Sequence, residues 1–183
     1  MRTQPIDRFE PWIIKFRYAD DFPDAGPLEV AYADMARCAG IDMSDVRLLP
    51  WADGPGHFAT KRFDRGPNSQ RFHVVSAAGV LDQEWLSPST YSQLVNVTRY
   101  VMRQHADTER IFRRMIFDVL SNNRDDHVRQ HAFIMDAAGS WRLAPAFDLT
   151  YSHGPAGQHP IREREALRRL NRRYTGHRTR ARD

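Results

Sequence analysis

The sequence predicts an α+β fold with two unequal lobes, a small strand-rich one followed by a larger helical one. Three observations carry this. Short apolar runs bounded by turn residues crowd the first third: WIIKFR (12–17), RLLPW (47–51) and HFATKRFD (57–64). Long segments with helical apolar spacing dominate only after residue 87. The chain has 183 residues, 41% of them hydrophobic, enough for one domain or one and a half with a real core. Strands first and helices later, rather than alternation, is the α+β pattern, with a border near residue 66.

WIIKFR reads as a short buried strand. ADDFPDAG (19–26) is a turn-rich loop. Pro27 then opens a helix over LEVAYADMARCA (28–39) and Gly40 closes it, proline in the first turn and glycine past the end. Leu28, Tyr32, Met35 and Ala39 form the expected apolar stripe, and Glu29 falls in the first turn. RGPNSQ (65–70) is a loop, and FHVVS (72–76) reads as a strand or an extended link. Ser87-Pro88 starts a helix carrying Tyr91, Leu94, Val95, Thr98, Val101 and Met102. Asp107 caps another, with Ile111, Phe112, Met115, Ile116, Val119 and Leu120 on one face. The polar loop SNNRDDHVRQ (121–130) precedes two short strands, HAFIMD (131–136) and WRLA (141–144), around the turn AAGS. APAFDL (144–149) comes next, and periodicity fades after about Gly154. There are no internal repeats. The implied division is 1–66, 67–157 and a basic tail, 158–183.

Composition excludes some classes. No apolar run approaches the ~20 residues of a bilayer span, so no membrane partner is expected. The start, MRTQPIDRFEPW, has no apolar signal-peptide core, so a reducing cytoplasm is the expectation. The single cysteine, Cys38, permits no intrachain disulfide and reads as core. The net charge of +4 is uneven: residues 162–183 hold nine Arg against three acidic residues, or +6, which leaves −2 for the rest. Such a tail is either a solvated end or a contact for nucleic acid or an acidic partner. Only Lys15 and Lys61 among the 27 basic residues are lysines. A lysine kept where arginine serves elsewhere points to a site that wants a compact ammonium.

Asp125, Asp126, Gln130 and Asp148 are the residues that suggest chemistry. Phosphoryl transfer needs Mg²⁺ held by hard oxygens and a carboxylate to orient the attacking hydroxyl. Protein kinases place an aspartate base and a metal-binding amide five residues apart on one loop, with a second metal-binding aspartate downstream. Asp125, Gln130 and Asp148 have that order and spacing. Lys15 on the first strand and Glu29 on the first helix match the other half of such a site. The plainer alternative makes Asp125 and Asp126 turn caps, Asp148 a helix cap and Lys15 a surface residue. A zinc site from His127, His131 and nearby aspartates is disfavoured without cysteine ligands.

Together these residues resemble a family. NNRDDHVRQHAF (122–133) followed by WRLAPAFDL (141–149) is similar to the HipA-type kinase pattern N-x-D-D-H-x-x-N-H-x-F, then W-x-L-x-P-x-[FY]-D. KRFDR (61–65) resembles its hinge, WIIKF its nucleotide-lysine strand and LEVAYADMARCAGI its first helix. ERIFRRMIFDVL (109–120) resembles the helix before the catalytic loop. The resemblance spans about residues 12–152. It implies a partial two-lobed protein-kinase-like fold, serine/threonine kinase activity, and ATP with Mg²⁺. It also implies a toxin that phosphorylates aminoacyl-tRNA synthetases or similar protein targets. A helix-turn-helix antitoxin would neutralise it, with DNA reached only through that antitoxin. Residue by residue, Asp125 matches the catalytic base. Gln130 and Asp148 match the metal ligands, and Lys15, paired with Glu29, matches the phosphate-contacting lysine. Lys61, Arg62 and Phe63 match the hinge that holds adenine through backbone groups. His127 and Phe147 match residues lining the nucleotide.

Three departures shape the expectation. Gln130 stands where the pattern has Asn, one methylene longer, which strains the octahedral geometry Mg²⁺ demands. The family's glycine-rich loop and regulatory serine lie upstream of its lysine, and the expectation is that this chain has no room for them. The tail after Gly157 is expected to lie outside the resemblance and to leave the large lobe incomplete. Two function classes therefore stand side by side. One is a kinase, either alone or completed by another chain. The other is an inactive kinase remnant that binds a protein partner or nucleotide.

Overall fold

In the computed structural model, residues 10–18, 21–68, 70–84, 89–102 and 105–153 are described. The Arg-rich tail and the Ser87-Pro88 helix start lie outside them. Two antiparallel three-stranded sheets organise the chain. The first has the order β1-β3-β2, from Trp12–Lys15 (β1), Val46–Trp51 (β2) and Gly54–Lys61 (β3). The second has the order β4-β5-β6, from His73–Ser76 (β4), Ala132–Met135 (β5) and Trp141–Leu143 (β6). FHVVS is therefore a strand, and it pairs across more than fifty residues of sequence with the strand after the polar loop.

The first sheet carries one helix, α1 (Ala25–Cys38). It starts two residues before Pro27, behind Asp24, whose side chain makes no capping bond. Glu29 consequently sits past the first turn. The face turned inward is Ala33 and Ala36, not the expected Leu28/Tyr32/Met35/Ala39 stripe; Met35 is 46% exposed. Small residues win that face because α1 lies close on β3: a Cβ on Gly26 would stand 2.4 Å from the Gly56 carbonyl oxygen. Gly40, at φ +73°, ends the helix as expected. Cys38 is exposed, so its reading as core is overturned by the same rotation of the helix. β1 is not buried either. It pairs with β3 alone, and Ile13 is 48% exposed.

The second sheet packs with a short helix, α2 (Ala77–Val80), and two long ones, α3 (Tyr91–Met102) and α4 (His105–Leu120). Ser76 caps α2 by accepting from the Gly79 N–H at 3.1 Å. Leu94, Ile111, Phe133 and their neighbours form the main apolar core. α3 buries Tyr91, Leu94, Thr98 and Met102 as its spacing predicts, and also Val97. α4 departs from the expectation twice. Asp107 lies inside it rather than at its cap. Its inward face is Ile111, Arg114, Met115 and Asp118, while Ile116 and Leu120 face outward, Leu120 at 76% exposure. A buried polar network rolls the helix away from the purely apolar solution.

A smaller cluster joins the two parts: Ala36 and Ile41 pack with Ala146 and Leu149, backed by Met43 and Phe117. The Ala146 N–H donates to the Asp42 carbonyl at 2.7 Å, and the Tyr32 hydroxyl to the Ser121 carbonyl at 2.9 Å. These contacts carry the APAFDL segment and the polar loop to the foot of α1.

Candidate functional site

Lys15 ends β1, opposite Phe58 in the ladder, and its ammonium lies 5.6 Å from the centre of the Phe58 ring. Its Nζ donates to Glu29 Oε2 at 2.7 Å and to Asp148 Oδ1. Burial pulls the Lys15 ammonium down, but the two carboxylates outweigh it and hold it above the ordinary lysine value. Burial also raises the Glu29 carboxyl, with the Lys15 charge working against it. Glu29 reaches Lys15 because α1 sits so near β3 at Gly26, one turn earlier.

Asp148 adopts φ +59°, the left-handed region that a non-glycine residue enters only under restraint. Restraint comes from both sides. The buried Arg114 guanidinium donates to the Ala144 carbonyl at 2.6 Å, and Ala146 forms a parallel bridge with Met43. The turned backbone aims the Asp148 carboxylate at Lys15 and at Gln130, whose Nε2 donates to Asp148 Oδ2 at 3.0 Å. The same nitrogen reaches Asp125 Oδ2 at 3.4 Å. Lys15, Glu29, Asp125, Gln130 and Asp148, drawn from β1, α1, the polar loop and the segment after β6, thus form one cluster.

The polar loop is shaped from beneath. Asp126 is buried and accepts from the Tyr91 hydroxyl of α3. His127 N–H donates to the Asp125 carbonyl and Gln130 N–H to the His127 carbonyl, both at 2.9 Å. The His127 ring stands beside Asp125, with Nε2 3.9 Å from Oδ1. Deeper lie Asp118 and His131. Burial, with Asp126 nearby, pushes the Asp118 carboxyl well above the usual carboxylate range. Burial, with the Arg114 and His127 charges, lowers His131 to about 3.

Two cavities meet at the cluster, because Lys15 and Asp148 line both. One, of about 290 Å³, is apolar and walled by Ile13, Phe58, Val74, Phe63 and Phe147, the last two rings stacked at 5.7 Å. Lys61 and Arg62 also line it. Their N–H groups are engaged by the Asp45 and Pro11 carbonyls at 2.8 and 2.9 Å, so a hinge-type contact to a base falls to other main-chain groups there. The Lys61 ammonium turns to Glu10 at 2.5 Å. The other cavity, of about 760 Å³, is more polar. Glu29, Asp125, Arg17 and Asp21 line it, with Trp51 and His57 stacked at 4.9 Å on its wall.

Sequence reasoning gave no role to Arg114, Asp118 and Asn123, which brace the site without facing the cleft. A signal existed: Arg114 and Asp118, four apart, interrupt the inner face of α4 with charge. Among the described residues no group of three or more His, Cys, Asp or Glu is placed to hold a metal ion. No described helix is long and apolar enough to cross a membrane.

Comparison with known proteins follows the same line. A family model described as the HipA-like C-terminal domain matches residues 2–182. The match runs through the Arg-rich tail, contrary to the expectation that the tail lies outside the resemblance. "Putative kinase Y4dM" of Sinorhizobium fredii is 28% identical over 152 residues, 75% of this chain and 36% of that protein. A second protein, "Putative kinase" of Haemophilus influenzae, is 24% identical over 147 residues, 71% of this chain and 42% of that protein. The chain therefore spans about two fifths or less of these curated relatives. Among solved structures, a HipA, HipB and operator DNA complex from Shewanella oneidensis superposes with TM-score 0.63 at 18% identity, over 76% of this chain and 37% of that one. The Helicobacter pylori proinflammatory kinase CtkA superposes with TM-score 0.56 at 16% identity, over 76% of this chain and 49% of that one. These likenesses show a kinase-like fold, and the extent of the family match shows that the chain belongs to the HipA-like C-terminal domain family.

Proposed function

We propose that this chain is a HipA-like serine/threonine protein kinase domain that uses Mg-ATP and serves as the toxin of a toxin–antitoxin pair. The observation that carries the reading is the convergence of Lys15, Glu29, Asp125, Gln130 and Asp148 where an apolar cavity meets a polar one. The apolar cavity suits a nucleobase between Phe63, Phe147 and Ile13. Lys15, kept charged by Glu29, neutralises phosphate oxygens. Asp125, on the polar cavity, accepts the proton of the attacking hydroxyl and orients its oxygen.

The donors present fit Mg²⁺. The ion usually takes one or two protein oxygens and completes its shell with water and phosphate, so no three-residue cluster is needed. Asp148 offers a carboxylate. Gln130 Oε1 is buried and has no hydrogen-bond partner, an acceptor in want of a cation. Turning the Gln130 amide over would bring that oxygen round to where its nitrogen now meets Asp148. When bound, Mg²⁺ supplies charge stabilisation for the transferring phosphoryl group.

The acceptor in this reading is a protein hydroxyl, on an aminoacyl-tRNA synthetase or a similar target. The partner is a helix-turn-helix antitoxin, through which DNA is reached indirectly. Support for the partner comes from the Shewanella oneidensis HipA structure, which contains HipB and its operator DNA.

A second reading is an inactive module that binds nucleotide or protein. The engagement of Lys15 by Asp148 and the Gln130 nitrogen between both aspartates favour it, since each occupies a position catalysis requires. Incubation with γ-labelled ATP, Mg²⁺ and cell extract separates the two. The kinase reading expects labelled protein with the parent chain and none with Asp125→Ala. Nucleotide binding without any label transfer would leave the second reading.

A further inference from the structure

Asn123, only 1% exposed, lies under the cleft between α4 and the segment after β6. Its side chain makes three contacts. Nδ2 donates to Asp118 Oδ1 at 2.9 Å and to the main-chain oxygen of Asp148 at 3.4 Å. Oδ1 accepts from the Asp125 N–H at 3.3 Å. The Asn123 N–H also donates to the Asp118 carbonyl at 2.9 Å. One amide therefore ties the backbones of the two aspartates that face each other across the cluster.

We propose that Asn123, held by the buried Asp118, is a positioning residue of this site. Its amide fixes the Asp125 and Asp148 main chains against each other and so sets the gap between their carboxylates. The inference rests on reading that gap as the place where Mg-ATP meets an acceptor hydroxyl.

The chemistry of the side chain explains the choice. The position needs donors toward Asp118 and Asp148 and an acceptor toward Asp125, all on one short stem. Asparagine provides this; aspartate lacks the donors, and leucine lacks both. Asp118 is fully buried, so losing its Asn123 partner would leave an unsatisfied acceptor in a dry interior, which locks the amide in one orientation. The Asp148 backbone, at φ +59°, relaxes unless neighbours hold it, and Asn123 grips its carbonyl directly. Partners of this kind typically change metal affinity 10–100-fold without touching the metal.

The test uses the full chain with Asn123→Ala, Asn123→Asp, Asp118→Ala and Asp118→Asn. Amide hydrogen exchange at Asp125 is read by NMR, with the β5 amides as a control for the fold, and Mg-ATP affinity by calorimetry. Asn123→Ala and Asp118→Ala are expected to speed exchange at Asp125 at least tenfold with β5 unchanged, and to weaken Mg-ATP about tenfold or more. Asp118→Asn, which keeps the acceptor, is expected to stay near the parent in both. Unchanged Asp125 exchange in Asn123→Ala would overturn the proposal. If the parent binds no Mg-ATP, the kinase reading fails while exchange still decides the clamp. If the alanine variants lose β5 protection, Asn123→Asp decides, because it keeps the acceptor and loses the donors. Retained Asp125 protection with a shifted Asp148 carbonyl carbon resonance supports the clamp, and an unshifted resonance overturns it.

Discussion

The sheet that carries Lys15 and the loop that carries Asp125 are held by different means. Around Lys15, the sheet is thin. α1 meets β3 closely at Gly26, and Ile13, Ile14 and Phe16 remain substantially exposed. Around Asp125, the backing is deep and mixed. Phe133, Leu94 and Ile111 are sealed from water, and Arg114, Asp118, Asn123, Asp126 and His131 are buried with them. Close backbone approach places the first half of the site, and a buried polar network places the second.

That contrast makes unequal responses to substitution. Leu94→Ala should cost about 3–5 kcal/mol, the range for an enclosed core leucine, whereas Ile13→Ala should cost under ~1 kcal/mol. Urea unfolding measures both, and comparable losses would erase the distinction. Gly26→Ala should cost about 1–3 kcal/mol, because the new methyl meets backbone rather than a yielding side chain. It should also pull Glu29 from Lys15, visible as a changed environment of the Lys15 ammonium by NMR.

Acid should weaken the deep side through His131. In the unfolded chain this imidazole takes up a proton as the pH falls through ~6.5, while in the fold it stays neutral to about 3. The unfolded state binds more protons over that window, so stability falls with pH by at most ~1.4 kcal/mol per unit from this residue. His131→Leu should flatten the slope between about pH 6 and 4, and an unchanged slope would assign it to other groups. The smallest effect is expected at Gln130. Gln130→Asn, matching the family pattern, should tighten Mg-ATP several-fold by bringing the carbonyl to the usual distance. Calorimetric titration of the two forms checks this.

Much of this was legible in the sequence because it is local. Strand runs, the Gly40 stop and the Asp125–Gln130 spacing are short-range patterns. The pairing of β4 with β5 was not legible, since it joins segments on either side of three helices. The faces of α1 and α4 were misread for one reason. Periodicity ranks residues by apolarity, but α1 is turned by a backbone contact at Gly26 and Gly56, and α4 by the burial of Arg114 and Asp118. Cys38 followed α1 to the surface. Asn123 falls on the first position of the N-x-D-D-H pattern, but a pattern gives no role, and the clamp shows only when Asp118 and Asp148 are seen around it.

The central claim is that Lys15 and Asp148 mark a nucleotide site, and thermal unfolding with and without Mg-ATP tests it most directly. A ligand that binds only the folded state raises the melting temperature. The account predicts a rise for the parent chain that disappears in Asp148→Ala. A folded parent with no rise, or a rise that survives Asp148→Ala, would contradict it.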